Sequence, residues 1–323
     1  MVSIFSLVHT IGGIPVDPRS FTFQSRRSTM SIDEQIGCFA PNEKSLKYII
    51  RIHSDHRDWI LYSLCYDKNL NIPAQSSHIL SSVQERTIST PYSSEKFSNN
   101  LLTTPYEFYQ CRYQLENFKS TLGFNQARKF INCNNGHFFA PGNLVPVSDF
   151  PFEQQRTATQ YFINTFPQWK IIRDGNMKNL ERSIRKYVKD SGNPLTVFGG
   201  TLGVTSLPSS AGREELLFMT RNTTNNPTVA APKLVWKVIY DSHVFESIVF
   251  VIVNNPYRTN VVELFKNREV VCNCVCHETE GWFDGWDRLD FTKGYVYCCT
   301  WEEFHQTVGI DYLANTKLLR KKS

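Results

Sequence analysis

An α+β architecture, with helices layered on a central sheet, is what this sequence predicts, and three observations predict it. Three runs late in the chain, Leu195–Phe198, Leu234–Tyr240 and Ser247–Val253, are rich in β-branched and aromatic residues, the last nearly continuous in Ile, Val and Phe. That is the composition of buried strands. Ahead of them Leu180, Ile184 and Val188 recur every four residues within a basic stretch, the apolar stripe of an amphipathic helix. Two earlier segments, Leu46–His53 and Trp59–Tyr66, alternate apolar and polar residues with the period of two that a strand requires. Strands mixed with separate helices bury their apolar faces best as stacked α and β layers.

The elements follow in chain order. Residues up to about Asp33 are rich in Ser, Arg, Pro and Gly without a sustained period, and read as a poorly ordered leader. Residues 34–85 hold the two alternating strands and a linker. From Gln75 to Asn100 the chain is polar and Ser-rich, the composition of a loop or insertion. Tyr106–Phe118 and Phe124–Phe130 fit a helix or an extended segment equally well. Phe152–Phe162 reads as a helix ahead of the Pro167 break, and Asp174 is placed to N-cap a second helix running to Asp190. Ser191-Gly192-Asn193-Pro194 stops that helix. The principal domain spans residues 86–313, and 314–323 form a basic tail.

Composition narrows the class. An apolar fraction of 41%, with 23 Phe, 14 Tyr and 6 Trp, can fill a real core and argues against disorder. The net charge of +5 permits a polyanionic partner without requiring one, but its distribution is uneven. Between Trp169 and Lys189 seven basic residues (Lys170, Arg173, Lys178, Arg182, Arg185, Lys186 and Lys189) face only Asp174 and Glu181. Alone, such a run is an ordinary solvated helix face. Nine cysteines include a crowd of five at Cys272, Cys274, Cys276, Cys298 and Cys299, whose spacing fits no closed zinc site and favours disulfides in an oxidising compartment. The odd count leaves at least one thiol free or intermolecular. Asn222-Thr223-Thr224 is a glycosylation sequon in keeping with that compartment. The first residues are mildly apolar without a charged n-region and do not read as a signal peptide, while Arg19, Arg26 and Arg27 with several Ser keep a transit peptide open. No apolar run approaches a membrane span.

One ordered polar constellation carries chemistry. Asn134-Asn135-Gly136-His137 is followed by Asn164, Pro167 and Gln168, then by Gly175-Asn176 opening the basic helix with Glu181 and Arg185 four apart on one side. In the family that this order resembles the reaction is phosphodiester cleavage, which requires deprotonated water, neutralised charge on phosphorus and a stabilised leaving oxygen. One His as general base and one divalent cation can supply all three. Taken singly, a His after Gly is an ordinary loop residue and a Glu/Arg i,i+4 pair is an ordinary surface pair. Their order and spacing is the informative part.

That order resembles the DNA/RNA non-specific endonucleases, the ββα-metal nucleases, and within them the secreted arthropod-type branch. The likeness extends through Ala140-Pro141, the run Phe152–Gln168, Val197–Gly203, Pro232–Val238, Ile248–Pro256 and Lys293–Cys299, covering about Arg86 to Leu313. It implies a central, mostly antiparallel sheet flanked by helices and a sugar-non-specific endonuclease using Mg²⁺ (or Mn²⁺). It casts His137 as general base, Asn164 and Gln168 as cleft amides, Glu181 as holder of metal-bound water and Arg185 as the phosphate-gripping arginine. Asn135, Arg173, Lys178, Arg182 and Arg185 would contact nucleic acid. The partners implied are DNA and/or RNA, no membrane, and a homodimer as an open option. An extracellular location is implied, with mitochondrial or nuclear as the alternative.

Two positions depart from the pattern. Where the family has Asp-Arg-Gly-His, this chain has Asn135 in place of the arginine. Counting from Gln168, the family's metal-binding asparagine falls on Arg173, whose guanidinium has donors and no acceptor and therefore cannot coordinate Mg²⁺. Asn176 lies three residues on, and a shifted metal site using Asn176 and Glu181 is one way out. The reading kept is a metal-dependent sugar-non-specific nuclease, because His137, Asn164, Gln168, Glu181 and Arg185 are all present. The alternative is a pseudonuclease that binds nucleic acid, with Arg173 holding phosphate and hydrolysis lost or nearly so. A disulfide-stabilised extracellular interaction protein is a third, which leaves the basic helix unexplained.

Overall fold

Alternation and β-branched composition produce one long sheet. The computed structural model describes residues 29–36, 38, 45–54, 57–82, 106–221 and 227–321. In chain order the elements are β1 (Thr29–Ile36), β2 (Ser45–Ser54), β3 (Arg57–Asp67), β4 (Ile72–Leu80), α1 (Cys111–Leu122), α2 (Phe124–Phe130), β5 (Phe139–Asn143), α3 (Glu153–Thr159), β6 (Thr165–Trp169) and α4 (Lys178–Ser191). There follow β7 (Leu195–Val204), β8 (Ser206–Pro208), β9 (Glu214–Leu216), β10 (Phe218–Arg221), β11 (Pro227–Ala230), β12 (Pro232–Asp241), β13 (Glu246–Val253), α5 (Val261–Lys266), β14 (Val296–Cys299), α6 (Trp301–Val308) and β15 (Lys317–Leu318). The main sheet runs β1-β2-β3-β4-β7-β12-β13-β14, antiparallel at every step, with β15 pairing parallel to β13.

The sheet is buried on both faces at its centre. On β13, Ile248, Phe250 and Ile252 point into one core, which also holds Leu180, Ile184 and Val188 of α4. Val249, Val251 and Val253 point into a second, shared with Trp301 and Phe304 of α6. Helices thus cover both sides, as the α+β reading requires, and a continuous apolar strand is the physical consequence. Close packing between strands leaves no room beyond glycine at Gly200 of β7, where an added Cβ would stand 2.1 Å from the Trp236 ring of β12.

Several expectations need correction. Thr29–Ile36 is a strand paired with β2, so the end of the expected leader belongs to the sheet; residues 1–28 lie outside the described residues. Gln75–Leu80, expected in a loop, completes β4 between β3 and β7. Its polar residues misled because Gln75, Ser76 and His78 are buried, and Ser77 and His78 hydrogen-bond to Ser63 and Asp149. The rest of that expected loop, from residue 83 to Asn100, and the sequon at Asn222 lie outside the described residues. Tyr106–Phe118 and Phe124–Phe130 are helical, as a short 3₁₀ turn plus α1 and α2. The helix expected over Phe152–Phe162 ends at Thr159, whose carbonyl takes the side-chain amides of Asn143 and Asn164. Such side-chain bonds compete with the helical ladder.

Four disulfides join Cys38–Cys65, Cys111–Cys133, Cys272–Cys299 and Cys276–Cys298, leaving Cys274 free and exposed. Among the described residues no helix is long and apolar enough to cross a membrane.

Candidate nucleic-acid interface

His137 sits on a turn tied down from three directions. Asn132 and His137 exchange two backbone hydrogen bonds of 2.8 and 3.0 Å, and the Asn132 side chain accepts from the backbone N–H of Asn134 and Asn135. Gly136 has φ +72°, a left-handed conformation that closes the turn and strains any other residue. The Cys111–Cys133 disulfide fastens the turn to α1, and Gln114 of α1 both donates to and accepts from the backbone of Phe139 at 2.7 Å. The imidazole is half-buried, with its centroid 5.5 Å from that of Tyr257. Tyr257 in turn donates its hydroxyl to the Phe130 carbonyl, and burial pushes its pKa up.

The hairpin β5–β6 carries the turn to the basic helix. Phe139 pairs with Trp169 and Ala140 with Gln168, and the Lys170 N–H donates to the Phe138 carbonyl at 2.8 Å. His137 is thereby held beside the approach to α4. Asp174 does not cap that helix. A widened π-type turn covers Arg173–Met177, Gly175 breaks it at φ −93° and ψ −118°, and the regular helix starts at Lys178 without a side-chain cap. The Asp174 carboxylate is instead occupied by Lys170 and by Arg173 at 2.9 Å. Burial opposes its ionisation, but the Lys170 and Arg173 cations prevail and hold its pKa below the usual value. Arg173 also donates to the Pro141 carbonyl at 3.4 Å, across to β5.

Three expected site residues prove to be buried inside the fold. Asn164, expected to line the cleft, is fully buried and pairs with Val145 through the Val145 N–H and carbonyl, both at 2.9 Å. Its amide mimics a strand partner there. Gln168 is buried opposite Ala140, with Nε2 unbonded among the described residues. Asn176 is buried and donates to the carbonyls of Asp287 and Gly294, both at 2.9 Å, fastening the π-type turn to a distant loop.

Glu181 and Arg185 do share one side of α4, as their spacing predicts, and both join a charge network at the sheet. Arg185 donates to Asp149 at 3.0 Å, and Asp149 also meets His78 at 2.9 Å. Glu181 lies 3.5 Å from Lys237, which donates to the Leu144 carbonyl at 3.1 Å. Burial raises the Glu181 pKa, against the pull of Lys237 and Arg185. Burial also opposes ionisation of Asp149, yet His78, Arg185 and Lys237 together lower its pKa. Lys237, Asp149 and His78 escaped the sequence reading. One signal was available: Lys237 interrupts the apolar run of β12, and its period-two position places it on the same face as Val235 and Ile239. Lys178 and Arg182 are exposed on α4, and Asn135 is exposed on the His137 turn.

Among the described residues no group of three His, Cys, Asp or Glu side chains could hold a metal ion. Arg173 offers no acceptor, Asn176 is buried with its Nδ2 bonded inward, one Glu181 oxygen faces Lys237 and both Asp174 oxygens are taken, so as they stand these residues do not fit a divalent cation.

The family described as DNA/RNA non-specific endonuclease matches residues 46–317, and the chain belongs to it. A "Salivary endonuclease" of Lutzomyia longipalpis is 30% identical over 251 residues, 76% of this chain and 56% of that protein. "Salivary protein Tsal1" of Glossina morsitans morsitans is 26% identical over 262 residues, 78% of this chain and 61% of that one. The chain thus spans little more than half the length of these relatives. A solved EndoG/EndoGI complex aligns with a TM-score of 0.45 at 16% identity, covering 80% of this chain and 86% of that one.

Proposed function

We propose that this protein binds DNA or RNA through the His137 turn and the basic helix α4, with metal-dependent hydrolysis lost or nearly so. What supports this reading is that Asn176, the nearest amide able to replace a metal-binding asparagine, is buried and donates into the fold, while Arg173 stands where the family resemblance puts that asparagine. A guanidinium there can grip a phosphate oxygen but supplies no metal-bound water. Lys178 and Arg182 on the exposed face of α4 add backbone charge without sequence preference. Four disulfides and the salivary names of the relatives support an extracellular setting.

Family membership and the half-buried His137 on its fixed turn favour a second reading, a sugar-non-specific endonuclease with His137 as general base. Plasmid nicking with Mg²⁺ and with chelator separates the two. The expected result is salt-sensitive retention on DNA with no chelator-sensitive nicking beyond that of His137→Ala. Arg173→Asn together with Asn135→Arg should then raise nicking, by on the order of 10²-fold or more, the worth of one restored electrostatic contact. Wild-type nicking that disappears with chelator and in His137→Ala would establish the nuclease reading instead. Absence of retention would leave the extracellular interaction protein.

A further inference from the structure

Beside the His137 turn the surface dips into a hollow of about 430 Å³, lined by Asn134, Asn135, Phe138, Lys170, Ile171 and Asp174 together with Cys133 and Gly136. Its size falls within the range of small-molecule sites. Its chemistry is divided. Phe138 and Ile171 are half-exposed and pack against the main core, so they form a fixed apolar wall. Asn134 and Asn135 are exposed at the rim, and among the described residues no hydrogen bond engages their side-chain amides. Lys170 and Arg173 both pair with the Asp174 carboxylate, so two cations against one anion leave this edge of the hollow with a net positive charge. An aromatic wall, free amides and a cation beside Arg173 suit a flat heteroaromatic ring attached to a phosphate.

Resting on the nucleic-acid reading above, we propose that this hollow receives one unpaired nucleobase, stacked on Phe138 with its edge bonded by Asn134 or Asn135. The preference that follows is for single-stranded nucleic acid. Bases of a duplex are stacked and paired, and bringing one out costs a few kcal/mol. The disulfide, the Gln114 clasp and the Asn132 bridge fix the turn that forms its rim, so the shape of the hollow is set before a strand arrives. Phosphate contacts alone would not distinguish strands in this way.

The test measures anisotropy of three labelled probes in chelator: oligothymidine, an abasic oligonucleotide of equal length, and a duplex. Stacking one base should make wild-type protein favour oligothymidine over the abasic probe by roughly ten-fold. Phe138→Leu should remove that preference with abasic binding unchanged, and Phe138→Trp should keep it. Lys178→Ala should weaken all three probes alike. Equal wild-type affinity for oligothymidine and the abasic probe overturns the inference while leaving the nucleic-acid reading intact, and needs no variant. So does tighter binding of the duplex. Failure to bind any probe overturns both.

Discussion

Position by position, residues expected to meet substrate divide by what the fold already asks of them. Asn176 is the clearest case. Replacing it with Ala strands the carbonyls of Asp287 and Gly294 and should lower stability by about 1–3 kcal/mol per unsatisfied group, read from urea denaturation. An effect confined to nucleic-acid binding, with stability unchanged, would return Asn176 to the site. Lys237→Met tests the network from the other side. Glu181 has a raised pKa in the folded chain, so its contribution to stability is present below the ordinary carboxylate value, near 4.3, and declines as pH rises through the folded one. Removing the Lys237 cation should push that pKa higher and steepen the loss toward neutral pH, seen as a Tm that falls more than wild type between about pH 4 and pH 8. Asp149 has the opposite sign. Its lowered pKa gives stability above the ordinary value, near 3.9, that is lost as pH falls through the folded value. Asp149→Asn should abolish that acid limb and destabilise by about 3 kcal/mol, because Arg185 loses its anion.

Secondary-structure elements follow local pattern until a distant contact intervenes. The α4 stripe of Leu180, Ile184 and Val188 was legible because helical period and burial agree. Its start was not, because Asp174 has the right chemistry for a cap and the wrong partners, Lys170 and Arg173. Gly175 shows why the start cannot shift: an added Cβ would lie 2.9 Å from Lys293 Cβ and 3.1 Å from the Lys293 carbonyl. Gly175→Ala should therefore destabilise by about 1–3 kcal/mol. A stabilised variant, as expected for Ala in an open helix, would show that the π-type turn is not held from outside. Strand β4 was missed for a related reason. Gln75, Ser76 and His78 resemble loop residues, and only their burial and the His78 bond to Asp149 show that they belong to the sheet.

Across the whole molecule, charge and covalent links set the behaviour in solution. If the exposed cations Lys178 and Arg182 meet phosphates, Lys178→Ala should reduce the slope of log K against log salt by about 0.7–0.9, without changing which sequences bind. An unchanged slope would remove Lys178 from the interface. The buried Cys276–Cys298 link closes a loop of sequence separation 22, and replacing both by Ala should lower stability by about 3 kcal/mol, as checked by Tm.

Taken by itself, the sequence determined the α+β class, the buried central strands, the basic amphipathic helix, the oxidised cysteines and the endonuclease family. Each depends on near neighbours in the chain or on a motif of fixed order. Tertiary structure alone decided what the polar residues of that motif do. A side chain's hydrogen-bond capacity is finite, and contacts as remote as Asp287, Gly294, Asp149 and Lys237 had already claimed Asn176, Arg185 and Glu181.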